Sequence, residues 1–76
     1  MTLKDWIEEF GDNLADVMNK KNISQRELAE LSGVPKSSIN DYINGRNQPS
    51  IKTIVNLSYT LDVSIDELVD FGDTID

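Results

Sequence analysis

This sequence specifies short helices most strongly, through hydroxyl and acidic residues placed three positions apart. Three pairs share that spacing: Thr2 with Asp5, Ser24 with Glu27, and Ser64 with Glu67. The hydroxyl can accept from the N3 amide while the acid accepts from the cap amide, so each pair predicts a helix start. Ser50, which follows Pro49, is a fourth candidate cap. Gly33, Gly45 and Asp62 predict helix ends because they tolerate left-handed backbone.

Between these signals the apolar residues recur at helical spacing, with Gly11 as a weak point in the first stripe. The five stripes are Trp6, Phe10, Leu14, Val17 and Met18; Leu28, Ala29 and Leu31; Ile39, Tyr42 and Ile43; Ile51, Ile54, Val55, Leu57 and Leu61; and Ile65, Leu68 and Val69. No window alternates between apolar and polar residues as a half-buried strand does. We therefore predict an all-α fold of five helices, at about 3–20, 25–32, 36–44, 51–61 and 65–71.

A length of 76 residues allows one small domain. We assign that domain to residues 1–76, with 1–9 and 72–76 as terminal extensions. The absence of cysteine and histidine removes thiolate zinc sites and the commonest general base. We therefore expect no enzyme activity, cofactor, metal or small-molecule substrate. No apolar run approaches the ~20 residues of a membrane helix and no signal-peptide core follows Met1, so we expect a cytoplasmic chain without a membrane partner.

The formal net charge of −7 argues against a nucleic-acid partner when it is taken alone. Its distribution weakens that objection. Residues 20–52 carry six basic and three acidic side chains, whereas residues 1–19 have a net charge of −4 and residues 53–76 one of −6. The basic middle is equally consistent with a DNA-binding surface and with ordinary solvated faces.

Residues 24–45 have the pattern of two short helices joined by a tight turn. Ala29 supplies the small residue that a close helix crossing needs, and Gly33 supplies a positive φ without steric cost. Val34 and Ile39 are placed to pin the second helix to the core and leave its opposite face exposed. This arrangement is typical of a helix-turn-helix, whose second helix enters the major groove. A small helical bundle with a glycine turn is the alternative.

Four segments together carry a resemblance to a known family. They are ISQRELAE at 23–30, SGV at 32–34, NGRNQPS at 44–50 and LDVSIDEL at 61–68. Over about residues 10–69 the chain resembles the phage Cro and repressor type (XRE-like) of helix-turn-helix domain. The resemblance implies a five-helix, lambda-repressor-like fold that regulates transcription, most often as a repressor. It also implies a double-stranded DNA operator as the partner, a homodimer on a two-fold site, and association with the nucleoid when bound.

The resemblance and side-chain chemistry together assign DNA contacts. The resemblance places Gln25 at a phosphate, Lys36, Ser37, Ser38 and Asp41 at the groove, and Asn44 and Arg46 at the backbone. Lys36 and Asn40 can also donate to base edges, and Asp41 can accept from a cytosine amino group. We expect base contacts from Lys36, Ser37, Asn40 and Asp41, and phosphate contacts from Gln25, Arg26, Ser38, Asn44 and Arg46.

The sequence departs from the family at two places. The family often has Arg and Glu at the positions of Met18 and Ile43, and both are apolar here. An apolar pair can replace a buried ion pair without loss of stability, so we expect these two side chains to touch. Pro35 stands where the family prefers a hydroxyl cap, and proline cannot satisfy an exposed amide as serine would.

The terminal segments contain more large apolar residues than a minimal helix-turn-helix core needs. They are Trp6, Ile7, Val69, Phe71 and Ile75. We expect the chain ends to pack together and to form part of a dimer surface. The alternative is that Trp6 only covers the core between the first and fifth helices.

The acidic ends of the chain are expected to face away from DNA, because any that lie near it would repel it. A rival function also follows from the net charge. The same fold could be an acidic protein-interaction module, antitoxin-like or mimicking DNA, that binds another regulator. A gel shift at low salt separates the two, because the rival shifts no DNA fragment.

Overall fold

The computed structural model describes the backbone of residues 3–69 and the side chains of residues 5–69. This part of the chain contains no strand and forms five helices: α1 (Leu3–Lys21), α2 (Gln25–Ser32), α3 (Lys36–Ile43), α4 (Ile51–Leu61) and α5 (Ile65–Leu68). The prediction of an all-α fold is confirmed, and the starts of all five helices agree with it. α5 ends earlier than predicted because Val69 has extended backbone, with φ −128° and ψ 107°.

Among the predicted helix starts that the structure describes, Ser24 and Ser50 form side-chain caps, and Thr2 lies outside the described residues. Ser24 makes a complete capping box, since its Oγ accepts from the Glu27 amide at 3.0 Å and Glu27 Oε1 accepts from the Ser24 amide at 3.2 Å. Ser50 Oγ accepts from the Thr53 amide at 3.1 Å. The box predicted at Ser64 is wrong. α5 is only four residues long, and the Glu67 amide bonds to the Ser64 carbonyl instead.

Left-handed residues end the helices where the sequence predicts. Gly33, Gly45 and Asp62 have φ values of 78°, 69° and 56°. Asn22, which the sequence analysis did not single out, closes α1 in the same way with φ 55°. Each positive φ reverses the chain within one or two residues. As a result α3, α4 and α5 pack on the long α1, and α2 packs on α3 and α4.

The core consists of residues from all five helices together with Val34 and Val69. The buried apolar side chains are Phe10, Leu14, Val17, Met18, Leu28, Val34, Ile39, Tyr42, Ile54, Leu57, Leu61, Leu68 and Val69. Met18 is buried and Ile43 packs against the same core, as an apolar replacement for an ion pair requires. Their direct contact stays a prediction.

The apolar stripes predicted from the sequence are wider than the buried faces. Leu31, Ile51, Val55 and Ile65 belong to those stripes but are exposed. At 100° per residue, Ile54, Leu57 and Leu61 lie within about 60° of one another on α4, whereas Ile51 and Val55 lie about 60° and 100° beyond Ile54. The apolar periodicity therefore identified the helices correctly but overestimated the width of the buried face on α2, α4 and α5.

The described terminal residues contribute to the core. Trp6 stacks on Phe10, with ring centroids 6.3 Å apart, and packs against the buried cluster. Val69 is buried and Ile7 is half-buried. This supports the covering role for Trp6, while Phe71 and Ile75 lie outside the described residues.

Two asparagine side chains join helices that are distant in sequence. Asn13 Nδ2 donates to the Leu68 carbonyl at 3.0 Å and so connects α1 to the end of α5. Asn56 Nδ2 donates to the Ser32 carbonyl at 2.9 Å and connects α4 to the end of α2. Carbonyls in the last turn of a helix have no partner within that helix, so both bonds satisfy groups that would otherwise be orphaned.

Gly11 is a close-packing position and not the weak point that the stripe indicated. A Cβ on Gly11 would overlap the carbonyl oxygen of Tyr42 and lie 2.9 Å from that of Ile43. The last turn of α3 therefore sits directly on the backbone of α1. Only glycine permits this approach, which fixes the position of α3 on the core.

We predict that Gly11→Ala destabilises the fold by about 1–3 kcal/mol, because the added methyl group forces two backbones apart. Gly33→Ala is the matched comparison. It should cost about 1 kcal/mol through its left-handed φ alone, since a Cβ there meets nothing within 4 Å. Urea denaturation of the wild type and both variants measures the difference. Equal stability of Gly11→Ala and the wild type would show that α3 is not held by this contact.

Candidate nucleic-acid interface

α3 packs on one side only. Within residues 3–69 it contacts α1 and α2 and makes no contact with α4 or α5. Ile39 and Tyr42 are buried, and the Tyr42 ring meets Phe10 edge to face at 5.9 Å. Because the inward side is fixed by these residues, the opposite side of α3 is available to an external partner.

The predicted base-contact residues differ in their exposure. Lys36 and Ser37 are exposed, whereas Asn40 and Asp41 are partly buried. At 100° per residue, Ser37 and Asp41 lie almost opposite Ile39, and Lys36 lies at the start of the helix. Lys36 makes no ion pair with any described residue. Its ammonium group is therefore the uncommitted positive charge at this end of α3.

The start of α3 is open, as the sequence predicts. Pro35 is its N-cap residue and makes no side-chain hydrogen bond to the first turn. Ser37 is exposed and Ser38 is half-buried, so these two short side chains leave the first turn accessible. The helix can therefore approach a groove closely at this end.

Three amide side chains connect the end of α3 to the start of α2. Asn44 Nδ2 donates to the Asn40 carbonyl at 2.8 Å and to Asn40 Oδ1 at 3.3 Å. Asn40 Nδ2 donates in turn to Gln25 Oε1 at 3.4 Å. The structure thus joins three residues that the sequence analysis assigned separately, two to phosphates and one to a base.

The two arginines expected to contact phosphates both have acidic neighbours. Arg46 lies 3.9 Å from Asp41 Oδ1, and its amide donates to the Asp41 carbonyl at 2.9 Å. Arg26 Nε lies 3.4 Å from Glu30. Both pairs are solvent-exposed, so each contributes less than about 1 kcal/mol and is easily exchanged for a phosphate. Asp41 is consequently turned towards Arg46 and is less free than expected to accept from a base.

Part of the acidic N-terminal segment lies beside α3, against the expectation that it faces away. Glu8 and Asp12 line a recess with Ile43, Asn44 and Gly45. The contact is close, because a Cβ on Gly45 would lie 3.2 Å from Glu8 Cγ. The close approach of α1 at Gly11 carries these carboxylates to the end of α3. The C-terminal acids Asp62 and Asp66 lie at the end of α4 and in α5, and neither helix contacts α3.

A family model for helix-turn-helix domains, HTH_3, matches residues 14–68. The chain belongs to this helix-turn-helix family. The match includes α2, the turn at Gly33 and α3, together with most of the core. It confirms the resemblance derived from the sequence.

Three curated relatives of this family match the chain over 58 to 61 residues. The chain is 33% identical over 60 residues to the uncharacterized HTH-type transcriptional regulator YqaE of Bacillus subtilis, covering 79% of this chain and 52% of that protein. It is 34% identical over 58 residues to the HTH-type transcriptional regulator AnsR of the same organism, covering 76% of this chain and 50% of AnsR. The HTH-type transcriptional activator BcrR of Enterococcus faecalis is 31% identical over 61 residues, which are 80% of this chain and 30% of BcrR. The chain thus spans about half, or less, of these relatives.

Two solved structures have the same fold. The restriction-modification controller protein C.AhdI of Aeromonas hydrophila superposes with a TM-score of 0.78 at 32% identity, over 82% of this chain and 94% of C.AhdI. An HTH_3 family transcriptional regulator of Vibrio cholerae superposes with a TM-score of 0.86 over 95% of this chain and 39% of that protein. At 21% identity, the second likeness concerns the fold alone.

Sequence reasoning missed two features of this surface. The approach of Glu8 to α3 depends on Gly11, whose role is visible only when the helices are packed. The chain of amides depends on the crossing of α2 and α3, which brings Gln25 and Asn40 together across 15 positions. The only signal available in the sequence was the helical spacing of Asn40 and Asn44.

We predict that Glu8→Gln strengthens DNA binding about twofold at low salt, because a carboxylate about 10 Å from a phosphate costs about 0.4 kcal/mol in water. Asp66→Asn removes the same charge from α5 and is the matched control, with a smaller effect. Titration of a labelled duplex at two salt concentrations measures both. If the two variants bind equally, Glu8 does not lie near the bound DNA.

Proposed function

We propose that the chain is a sequence-specific DNA-binding regulator of transcription that places α3 in the major groove of a double-stranded operator. The observation that carries this proposal is the one-sided packing of α3. Ile39 and Tyr42 hold the helix. Lys36 and Ser37 are exposed on it, and Asn44 is exposed at its end. A two-helix unit turned at Gly33 is the geometry with which such proteins present a recognition helix.

Different residues of this surface contact the bases and the phosphates. Lys36 and Ser37 are the base readers with the fewest competing contacts, and an ammonium group can donate to guanine O6 and N7. Arg26 and Arg46 are placed to exchange their exposed carboxylate partners for phosphates. With a net charge of −7, non-specific affinity is weak and specificity is high relative to affinity. We place this activity in the cytoplasm, on chromosomal DNA.

For the direction of regulation we propose repression. A domain that occupies promoter DNA excludes polymerase without needing any further contact. One relative is named an activator, so the direction needs its own test. A reporter gene placed behind the operator should be expressed less when this chain is present, and increased expression would assign activation.

We predict that Lys36→Ala changes the base preferred at one position of the operator, whereas Arg46→Ala weakens all sequences similarly and flattens the salt dependence. The wild type is first used to enrich a duplex from random-sequence DNA, called here the selected duplex. The two variants are matched to each other, because each removes one exposed positive charge.

The rival function makes the opposite prediction. α1 exposes a row of acids spaced three or four positions apart, namely Asp5, Glu8, Asp12 and Asp16. A protein-interaction module would use such a row and would enrich no duplex. If Lys36→Ala leaves affinity and base preference unchanged, α3 does not read DNA and the rival becomes the better explanation.

We further propose that the chain acts as a homodimer through α4. Four exposed apolar side chains form what we call the α4 strip, namely Ile51, Val55, Tyr59 and Ile65. Ile51 and Tyr59 are 80% and 87% exposed, unusual values for large apolar residues. We place the dimer surface on this strip and not on Trp6 and Val69, because those two side chains pack in the core.

A second copy of the chain fits the strip in shape and in charge. Ile51, Val55 and Tyr59 are four residues apart and follow one ridge of α4. Lys52 lies in the first turn of this helix and Asp62 is its C-cap. An antiparallel pair of α4 helices therefore brings Val55 against its own copy and Lys52 towards Asp62 of the partner. Because α4 does not contact α3, both recognition helices stay free to meet half-sites about 34 Å apart.

We predict that Val55→Asp converts the dimer to a monomer, because two carboxylates would meet at the two-fold axis. Val55→Ile retains the apolar surface and is the control, with dimerisation unchanged. Sedimentation equilibrium over a range of protein concentrations measures both, and circular dichroism confirms that each variant is helical. A wild-type chain that stays monomeric at high concentration contradicts the dimer.

A further inference from the structure

We propose that Asn40 is a positioning residue that fixes the orientation of the Gln25 amide and thereby decides which atoms Gln25 presents to DNA. This inference rests on the proposed DNA-binding function and reassigns the role of one residue in it, Asn40. The sequence analysis gave Asn40 the separate task of reading a base. The structure instead places its side chain between Gln25 and Asn44.

The three amides form a chain with a single direction. A side-chain NH₂ group can only donate, and a side-chain carbonyl oxygen can only accept. Asn44 Nδ2 is anchored by a 2.8 Å bond to the Asn40 carbonyl, which fixes it as the donor to Asn40 Oδ1. Asn40 must then present its Nδ2 on the other side, where it donates to Gln25 Oε1. The orientation of Gln25 is therefore set from the end of α3.

This orientation leaves Gln25 with hydrogen-bond donors to offer to an external partner. Its carbonyl oxygen is occupied by Asn40, so its Nε2 and both N–H groups remain for an external partner. Gln25 is the first residue of α2, where the helix dipole is positive. Phosphate oxygens only accept hydrogen bonds, so this orientation suits a phosphate. With the amide reversed, an oxygen atom would face the phosphate and repel it.

The consequence for Asn40 is an indirect role. One of its donors and one of its acceptor sites are committed to Gln25 and Asn44, and the residue is partly buried where α2 and α3 meet. It contributes to binding by holding Gln25. Loss of the Asn40 side chain should therefore weaken DNA binding only while Gln25 is present.

A double-mutant cycle on the selected duplex tests this dependence. Asn40→Ala should weaken binding about threefold to tenfold, the range of one lost ordinary hydrogen bond. The same substitution made in a Gln25→Ala background should change affinity by less than about twofold. The preferred base at every operator position should be the same in all four proteins. Thermal unfolding of each variant separates these effects from loss of folding.

Asn40→Asp provides a second variant of the same shape. Its carboxylate still accepts from Asn44 but cannot donate to Gln25, so the Gln25 amide reverses and donates to residue 40. Binding should fall further than in Asn40→Ala, and the excess loss should shrink when Gln25 is also alanine. In the free protein, the side-chain Nε2 resonances of Gln25 should shift in both Asn40 variants, while those of Asn56 stay unchanged.

Two results would overturn the inference while leaving the DNA-binding function intact. Asn40→Ala could change the base preferred at one position, which would make Asn40 a base reader. It could also weaken binding equally with and without Gln25, which would make the two residues independent. If the wild type enriches no duplex at all, the proposed function itself fails and the positioning role fails with it.

Discussion

The recognition surface depends on the way α3 is held. A helix of eight residues is too short to be stable alone in water, so α3 exists because one side of it is packed. Ile39 and Tyr42 provide that packing, and Gly11 lets the last turn of α3 rest directly on α1. Since the inward side carries the stability, the outward residues need no role in the core and can be chosen for what they bind.

The same close packing brings repulsive charge to the edge of the surface. Gly11 places α1 against the end of α3, and Glu8 and Asp12 come with it. In the proposed complex, long-range attraction to DNA is therefore limited, and short-range hydrogen bonds carry a larger share of the binding. A rigid arrangement of donors suits this balance, which gives the amide chain from Asn44 to Gln25 its importance.

Local features of the fold could be predicted from the sequence. The capping box at Ser24 and the left-handed Gly33 and Asp62 depend on neighbouring residues only, and each is formed as predicted. Features that need two helices in register could not be predicted. The role of Gly11 was misread because its partner lies 31 positions away, at Tyr42.

The candidate site likewise combines local features that the sequence predicts with contacts between helices that it does not. Lys36 and Ser37, which the sequence analysis expected to meet DNA, are exposed on α3. Helical spacing could not show that Asp41 lies beside Arg46, nor that Asn40 bonds to Gln25. The width of the buried face of α4 could not be predicted from the sequence either. Periodicity gives the direction of an apolar face, but its width depends on how closely neighbouring helices approach, so the α4 strip became visible only in the structure.

The central claim is that the outward side of α3 and the first turn of α2 meet DNA. Amide chemical-shift mapping during titration with the selected duplex tests it most directly, because every described residue except proline reports its own environment. The largest shifts should fall on 36–41, on 25–26 and on Arg46, with Asp66 on α5 little changed. Large shifts confined to the acidic row on α1, with α3 unaffected, would contradict the claim.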